Sequence, residues 1–537
     1  MPKYIFICGA LISGLGKGVV TSAIGKNLQI RGKKINVIKI DPYLNIDAGT
    51  MNPYEHGETF VTADGSEIDI DFGHYERILN LEMKKDQNIT TGKVYDSVIK
   101  KERKGDYLGK TVQVIPHITD EIKQQIKLIT DREPELDVLI IEVGGTIGDI
   151  ESQPFLEAIR QLRRETPSED TLLVLVTYIM EPPNLKEQKT KPTQHAVREL
   201  QSLGLNPDII VSRGANSLTE KSKEKIVMFC NVPANAVFSL PDLPLVLEAP
   251  IILDKQGFGS TLNLMLRYED LTADWSEHER LLEKFTVEKK TVHIAITGKY
   301  TELADSYISV KEAVKHAAAH NNVHAAVTFV STEEYEENPE RINELNKFDG
   351  ILVPGGFGSR GAEGKIASIQ YARENNIPFL GICYGFQLAV IEYARNVCGF
   401  EGANTTEVDP ESPYPVIDIL PEQKDVTELG GTMRLGKHLI IVTPNTKFEK
   451  IYNSTEISER HRHRYEVNPD YIKNLSEKGL IFSGCSEDKR RMETLELEKG
   501  ECFIATQFHP EFQSRPDKPS PPYFEFLRAA STRAEQK

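Results

Sequence analysis

The sequence predicts an α/β protein built from two doubly wound parallel-sheet domains. Three features carry that expectation. A glycine-rich loop joins an apolar strand to a helix near the N-terminus, β-rich runs alternate with helical stretches in both halves, and a charged connector lies between them, after which the pattern starts afresh. A chain of 537 residues also exceeds what one hydrophobic core usually organises. The boundaries read from these shifts are 1–265 for the first domain, 266–290 for a linker, 291–528 for the second domain and 529–537 for a frayed tail.

In the opening unit Tyr4–Cys8 reads as a buried strand, and Val19 to Arg31 has helical apolar spacing with no internal proline. Between them, Ser13-Gly14-Leu15-Gly16-Lys17-Gly18-Val19 has the order of a phosphate site. Glycines let the backbone approach an anion, a helix N-terminus presents unpaired N–H groups, and Lys17 supplies a point charge for β- and γ-phosphates. A standard P-loop follows its lysine with Ser or Thr to bind Mg²⁺, but here that place is Gly18, and the interval from Gly9 to Gly16 is longer than usual. A metal would therefore be held elsewhere.

Ile35–Ile40 is a second strand, which puts Lys39 near a carboxyl end, where ligands collect in parallel α/β sheets. In Glu67-Ile68-Asp69-Ile70-Asp71-Phe72, alternation places Glu67, Asp69 and Asp71 on one face of an extended segment. Asp137–Gly145 is a buried strand that delivers Glu142 at its end. Carboxylates from this cluster and Glu142, together with phosphate oxygens, are what Mg²⁺ prefers. Thr171–Tyr178 is another central strand, and Lys189–His195 enters a helix that runs to Leu203, with two lysines beside its start as a second anion site. Lys221, Lys223 and Lys225 share one helical stretch, and spacing does not choose which of them points inward.

Composition narrows the classes. With 64 basic and 80 acidic residues, net −16, general binding of nucleic acid or anionic membranes is disfavoured, while local nucleotide pockets remain compatible. Six cysteines without CxxC spacing suit a reducing cytosol and suggest no zinc site. Thr171–Met180 is too short to span a bilayer, and glycines and Lys17 interrupt the apolar start where a signal peptide would continue. A cytoplasmic enzyme is expected.

The connector Leu266–Lys290 is charged, holds Trp275, and has helical spacing at Leu281, Leu282 and Phe285. Beyond it the pattern predicts strands at 292–297, 324–330, 349–353 and 377–381, with a helix near 309–320. Cys383 then sits between glycines at a strand-to-helix turn, an elbow that exposes the sulfur at a helix N-terminus and favours a thiolate nucleophile. Downstream, Phe508-His509-Pro510-Glu511 offers a base and a carboxylate two positions apart, on one face if extended. His509 can take a proton and Glu511 can orient it. Pro354-Gly355-Gly356-Phe357-Gly358 provides unobstructed N–H groups for an oxyanion, best assigned to Gly356.

With Gly73-His74-Tyr75-Glu76-Arg77, Glu142–Ser152 and Lys189–His195 added, the chain resembles the CTP synthase family over nearly its whole length, and its second half resembles class I glutamine amidotransferases. The resemblance implies an N-terminal P-loop-like synthase domain and a C-terminal glutamine amidotransferase domain. It further implies that Gly14, Leu15, Gly16, Lys17, Gly18, Val19, Lys39, Asp71 and Leu243 bind ATP, that Asp71 and Glu142 hold Mg²⁺, and that Ser13, Lys189, Gln194 and Lys225 bind UTP. Asp149 and Glu151 would lie where UTP and the inhibitory product CTP meet. In the second domain Cys383, His509 and Glu511 would be catalytic, with Gly356, Tyr384, Gln387, Glu407 and Arg464 holding glutamine and its oxyanion.

Gly431–Gly436 resembles the family's mobile lid, associated with activation by GTP, and Pro53–Thr59 its ammonia gate, chiefly His56 and Thr59. The implied activity is ATP-dependent amination of UTP through a 4-phosphoryl intermediate, with ammonia from glutamine, in a homotetramer. Against the family pattern, Ala10 replaces a glycine, Pro244 enters the adenine segment, Thr59 replaces an apolar residue, and Tyr384 and Phe386 replace aliphatic ones. The residues alone also allow another ATP-dependent amidating ligase, one acting on a carboxylate.

Overall fold

Apolar runs too long to face water on either side become the middle of a parallel sheet covered on both faces. The computed structural model describes residues 2–10, 12, 14–52, 57–184, 187–269, 271–299, 304–423, 430–500 and 502–537. Its contacts divide the chain into two units, Met1–Ile46 with His74–Leu282, and Asp47–Gly73 with Glu283–Lys537.

Strands in chain order begin with β1 (Lys3–Gly9) and β2 (Ile35–Asp41), followed by a short hairpin, β3 (Phe60–Val61) and β4 (Glu67–Ile68), that belongs to the second unit. The first unit continues with β5 (Asn88–Thr90), β6 (Val138–Val143), β7 (Thr171–Tyr178), β8 (Ile209–Gly214) and β9 (Val237–Pro241). Among the described residues these form a seven-stranded parallel sheet ordered β5-β2-β6-β1-β7-β8-β9. Tyr4, Phe6 and Cys8 pack with Leu139, Ile141 and Leu175 on one face, while Ile5 and Ile7 between them are just as buried. The order places the ends of β1, β2 and β6 side by side.

The second unit has β10 (Thr291–Gly298), β11 (His324–Ser331), β12 (Gly350–Val353), β13 (Phe379–Ile382), β14 (Asn404–Thr405), β15 (Pro415–Ile419), β16 (Arg434–Val442) and β17 (Glu456–His463). It closes with β18 (Tyr465–Val467), β19 (Leu480–Ser486), β20 (Met492–Leu497) and β21 (Phe503–Thr506). Nine of the described strands form a mixed sheet, β11-β10-β12-β13-β21-β20-β19-β16-β17, parallel as far as β21 and antiparallel beyond it. Both faces carry an apolar cluster.

Two expectations are corrected. Glu67, Asp69 and Asp71 do not share an extended face, because β4 stops at Ile68 and Asp71 opens the helix Asp71–Leu79. The end of the chain is not frayed. The helix Pro521–Gln536 runs through it, anchored by buried Ala529 and Ala530, and Lys537 Nζ lies 3.1 Å from Asp349. At the end of β17, His461 and His463 are buried, and Arg464 follows the strand. In the connector, a helix spans Ser276–Thr286; Trp275 Nε1 donates to Asp254 at 2.6 Å and His278 meets the Leu247 carbonyl at 2.8 Å, both within the first unit.

Candidate active site

In the first unit the glycine loop ends at Gly16, whose φ of 84° is the left-handed conformation that favours glycine, and Lys17 begins the helix Lys17–Ile30 with no side-chain cap. Gly14 is also left-handed. Lys17 is buried and folds back over β1, since a Cβ on Gly9 would lie 2.8 Å from its Nζ, and it donates to the Gly145 carbonyl at 2.9 Å. Gly18 is buried and Leu15 nearly so, while Val19 is partly exposed.

The β2–β6 register sets Lys39 opposite Glu142, and Lys39 Nζ stands 3.2 Å from Glu142 Oε1 and 3.8 Å from Asp41. Thr21 and Tyr75 donate to the other oxygen, Oε2, at 2.6 and 2.5 Å. Oε1, also buried, accepts no hydrogen bond among the described residues and faces the Lys39 ammonium. A buried carboxylate at a strand end beside a phosphate-type loop suits a hard divalent cation. Asp71, the other expected ligand, is half-buried in the first turn of its helix, within the residues grouped with the second unit.

Asp149 turns back to accept from Thr146 N at 2.7 Å, and Glu151 is exposed in the short turn Ile150–Ser152. Gln194 is buried in the helix Lys191–Ser202, with Oε1 accepting no hydrogen bond among the described residues. Lys189 and Lys225 lie 2.9 and 3.3 Å from Glu187, and Lys221 lies 3.9 Å from it, so both Lys221 and Lys225 turn the same way. Leu243 is half-buried just beyond β9. Ser13 and His56 lie outside the described residues.

Sequence reasoning missed Arg213. It lies near the carboxyl end of β8, as Lys39 does on β2, and its guanidinium lies under the loop, 3.1 Å from where a Cβ on Gly16 would be, while pairing with Asp242 at 3.0 Å. The strand-end rule that found Lys39 would have found it too.

In the second unit Cys383 follows β13 with φ 51° and ψ −98°, the strained turn of an elbow, and caps the helix Tyr384–Asn396. Gly385 makes the turn possible, since a Cβ there would lie 2.2 Å from the Val353 carbonyl. A cavity of about 100 Å³ opens at the sulfur, with Glu58, Thr59, Gly355, Gly356, Cys383 and His509 in its lining. A Cβ on Gly355 would lie 2.9 Å from His509 Cε1 and 3.7 Å from Cys383 Cβ, so the three groups are packed together.

His509 Nδ1 stands 2.7 Å from Glu511 Oε1. They do not meet by extended alternation as the sequence suggested, because Pro510–Gln513 is a tight 3-10 turn that swings the carboxylate under the ring. Burial opposes the imidazolium, but the charges of Glu511 and Cys383 outweigh it and raise the His509 pKa to about 10.

The expected glutamine contacts are arranged around this pocket rather than all in it. Tyr384 OH donates to the Gly358 carbonyl at 2.8 Å, and Gly358 N donates to Glu407 at 2.8 Å, so both secure the glycine turn. Burial raises the Glu407 pKa. Gln387 donates to the Tyr465 carbonyl at 2.8 Å and Arg464 to Gln423 and Thr432 at 2.5 and 2.7 Å; neither lines the cavity. Gln507, overlooked in the sequence, puts Nε2 3.7 Å from Cys383 Sγ. In the expected lid, Gly431 and Gly436 are left-handed, and Gly436 abuts the hairpin turn, where a Cβ would lie 2.7 Å from Gly65 N.

The family model described as Glutamine amidotransferase class-I matches residues 302–529, which sets the cysteine elbow in that class of enzyme. The model described as CTP synthase N-terminus matches residues 3–268. A CTP synthase of Pyrococcus furiosus is 52% identical over 100% of this chain and 99% of its own length, and one of Methanosarcina acetivorans is 53% identical over 98% of each. The solved glutaminase domain of Trypanosoma brucei CTPS with bound acivicin aligns with 45% of this chain and 94% of its own at 40% identity, with a TM-score of 0.43. The chain belongs to the CTP synthase family, an enzyme that joins a synthase module to a glutamine amidotransferase module. Among the described residues no helix is long and apolar enough to cross a membrane.

Proposed function

We propose that this enzyme aminates UTP to CTP at the expense of ATP, drawing ammonia from glutamine, with residues 1–265 as the synthase, 266–290 as linker and 291–528 as the glutaminase. The observation that carries this reading is the Cys383 elbow beside the His509–Glu511 pair at 2.7 Å, in one chain with Lys17 at a helix start and Lys39 and Glu142 near strand ends.

In the glutaminase, Cys383 Sγ attacks the side-chain amide carbon. His509 gives its proton to the nitrogen as the C–N bond breaks, so ammonia leaves and a thioester remains. Water, losing a proton to His509, then breaks the thioester to glutamate and restores the thiol. Gly356 N–H receives the oxyanion, Glu511 orients the imidazole, and Tyr384, Gln387, Glu407 and Arg464 shape the glutamine pocket.

In the synthase, Lys17, Lys39 and the backbone of Gly14–Val19 bind the ATP phosphates and Leu243 the adenine side. Ser13, Lys189, Gln194 and Lys225 bind UTP, with Asp149 and Glu151 where UTP and CTP overlap. Uracil O4 attacks the γ-phosphorus, ADP departs, and ammonia at C4 expels phosphate and loses a proton to give CTP. Glu142 and Asp71 would hold Mg²⁺, which when bound neutralises charge on the transferred phosphoryl group. Thr59 and His56 belong to the ammonia route. GTP activation, CTP inhibition, a homotetramer and a cytoplasmic location complete the proposal.

The test is CTP formation with UTP, ATP, Mg²⁺ and glutamine, omitting one at a time. Cys383→Ala is expected to abolish glutamine-dependent synthesis and keep synthesis from ammonium. Loss of both defeats the separation of sites, and activity without UTP favours a carboxylate-amidating ligase instead.

A further inference from the structure

One ammonium in the second unit has no task in the mechanism above. Lys365 lies on the helix Ala362–Glu374 and is 1% exposed, and among the described residues its Nζ makes no hydrogen bond. A core position on this helix would ordinarily take an apolar side chain, because an uncompensated buried cation is strongly disfavoured. Its location suggests why the charge is kept. A Cβ on Gly356 would lie 3.3 Å from Lys365 Nζ and 3.7 Å from the Tyr384 ring, and the ammonium lies 5.3 Å from that ring's centroid. The ammonium thus stands directly behind the glycine turn that walls the Cys383 pocket.

We propose that Lys365 is a positioning residue of the glutamine site: its ammonium, buried behind the Gly355–Gly356 turn, orients that turn's peptide groups and offsets the negative charge gathering at Cys383 and at the attacked carbonyl oxygen. The proposal rests on the glutaminase reading above. The charged and titratable neighbours are Lys299 after β10, Cys383 and Tyr384 at the elbow, Glu407 behind Gly358, and Arg360 and Glu333 near Lys299. Burial, then Lys299, push the Lys365 pKa down to about 7, while Cys383 acts in the opposite direction.

Lys365→Met and Lys365→Arg are compared with the full-length enzyme in three measurements: kcat and KM for glutamine hydrolysis, the pH dependence of Cys383 alkylation by iodoacetamide, and thermal unfolding. Because Lys365 acts through the turn, Lys365→Met should lower kcat about tenfold, less than loss of a direct oxyanion donor, with KM within about twofold. The alkylation profile should move up by about one pH unit. Lys365→Arg should keep the profile and most of kcat, and Lys365→Met should unfold at the same temperature or higher. An unchanged alkylation profile overturns the proposal. So does an equal loss in both variants, or a Lys365→Met protein that fails to fold, since each makes the side chain a structural prop. Failure of the glutaminase reading looks different: wild-type enzyme alkylated at Cys383 would still hydrolyse glutamine.

Discussion

Glu511 sets how basic His509 is. The ring would be neutral at most pH values in so buried a place, yet the carboxylate 2.7 Å away and the Cys383 sulfur hold its pKa near 10. A folded-state pKa above the ordinary value of about 6.5 stabilises the fold fully below that pH, and the contribution is lost as pH rises through about 10. Glu511→Gln removes the strongest raising charge. The alkaline limb of the pH profile for glutamine hydrolysis should then move down by about one unit or more, and kcat should fall by about 10². A limb that stays at its wild-type pH would show that Glu511 does not govern the imidazole. The pair was legible in the sequence, but the route by which it forms was not. A period-two argument assumes an extended backbone, and Pro510 instead opens a 3-10 turn.

At the scale of the element, the elbow depends on a missing side chain. A methyl on Gly385 would press on the Val353 carbonyl at 2.2 Å, and backbone on a central strand cannot give way. Gly385→Ala should cost about 1–3 kcal/mol and lower the unfolding temperature by several degrees. Gly148→Ala is the control, since nothing lies within 4 Å of its added Cβ; equal losses in the two would refute the steric account. Strand–loop–helix order located this elbow and the Lys17 loop, and the rule that ligands gather at strand ends located Lys39 and Glu142. The same rule applied to β8 would have found Arg213. Alternation failed at Glu67–Asp71 because a two-residue strand gives way to a helix, a switch decided by packing rather than by local pattern.

For the whole molecule, residues 47–73 group with the second unit although they precede most of the first. Within that grouping Arg462 Nε donates to buried Glu67 at 2.8 Å, and the Arg462 carbonyl lies 3.5 Å from Cys383 Sγ. The segment bearing Thr59 and Asp71 is thereby tied to the thiol. Glu67→Gln should lower glutamine-dependent CTP formation more than ammonium-dependent formation, read as CTP made per glutamine consumed; an equal effect on both would contradict the link. Chelation with EDTA should abolish synthesis from either nitrogen source and spare glutamine hydrolysis, and synthesis that survives chelation would remove Mg²⁺ from the Glu142 site. The two modules, the glycine loop and the cysteine elbow could be read from the chain alone, because each is written in a few adjacent residues whose backbone needs are local. Folding had to settle which distant groups meet: Thr21 and Tyr75 on Glu142, Arg213 beneath Gly16, and Lys365 behind Gly356. Such pairs arise from sheet order and packing between elements, and spacing along a chain carries no record of them.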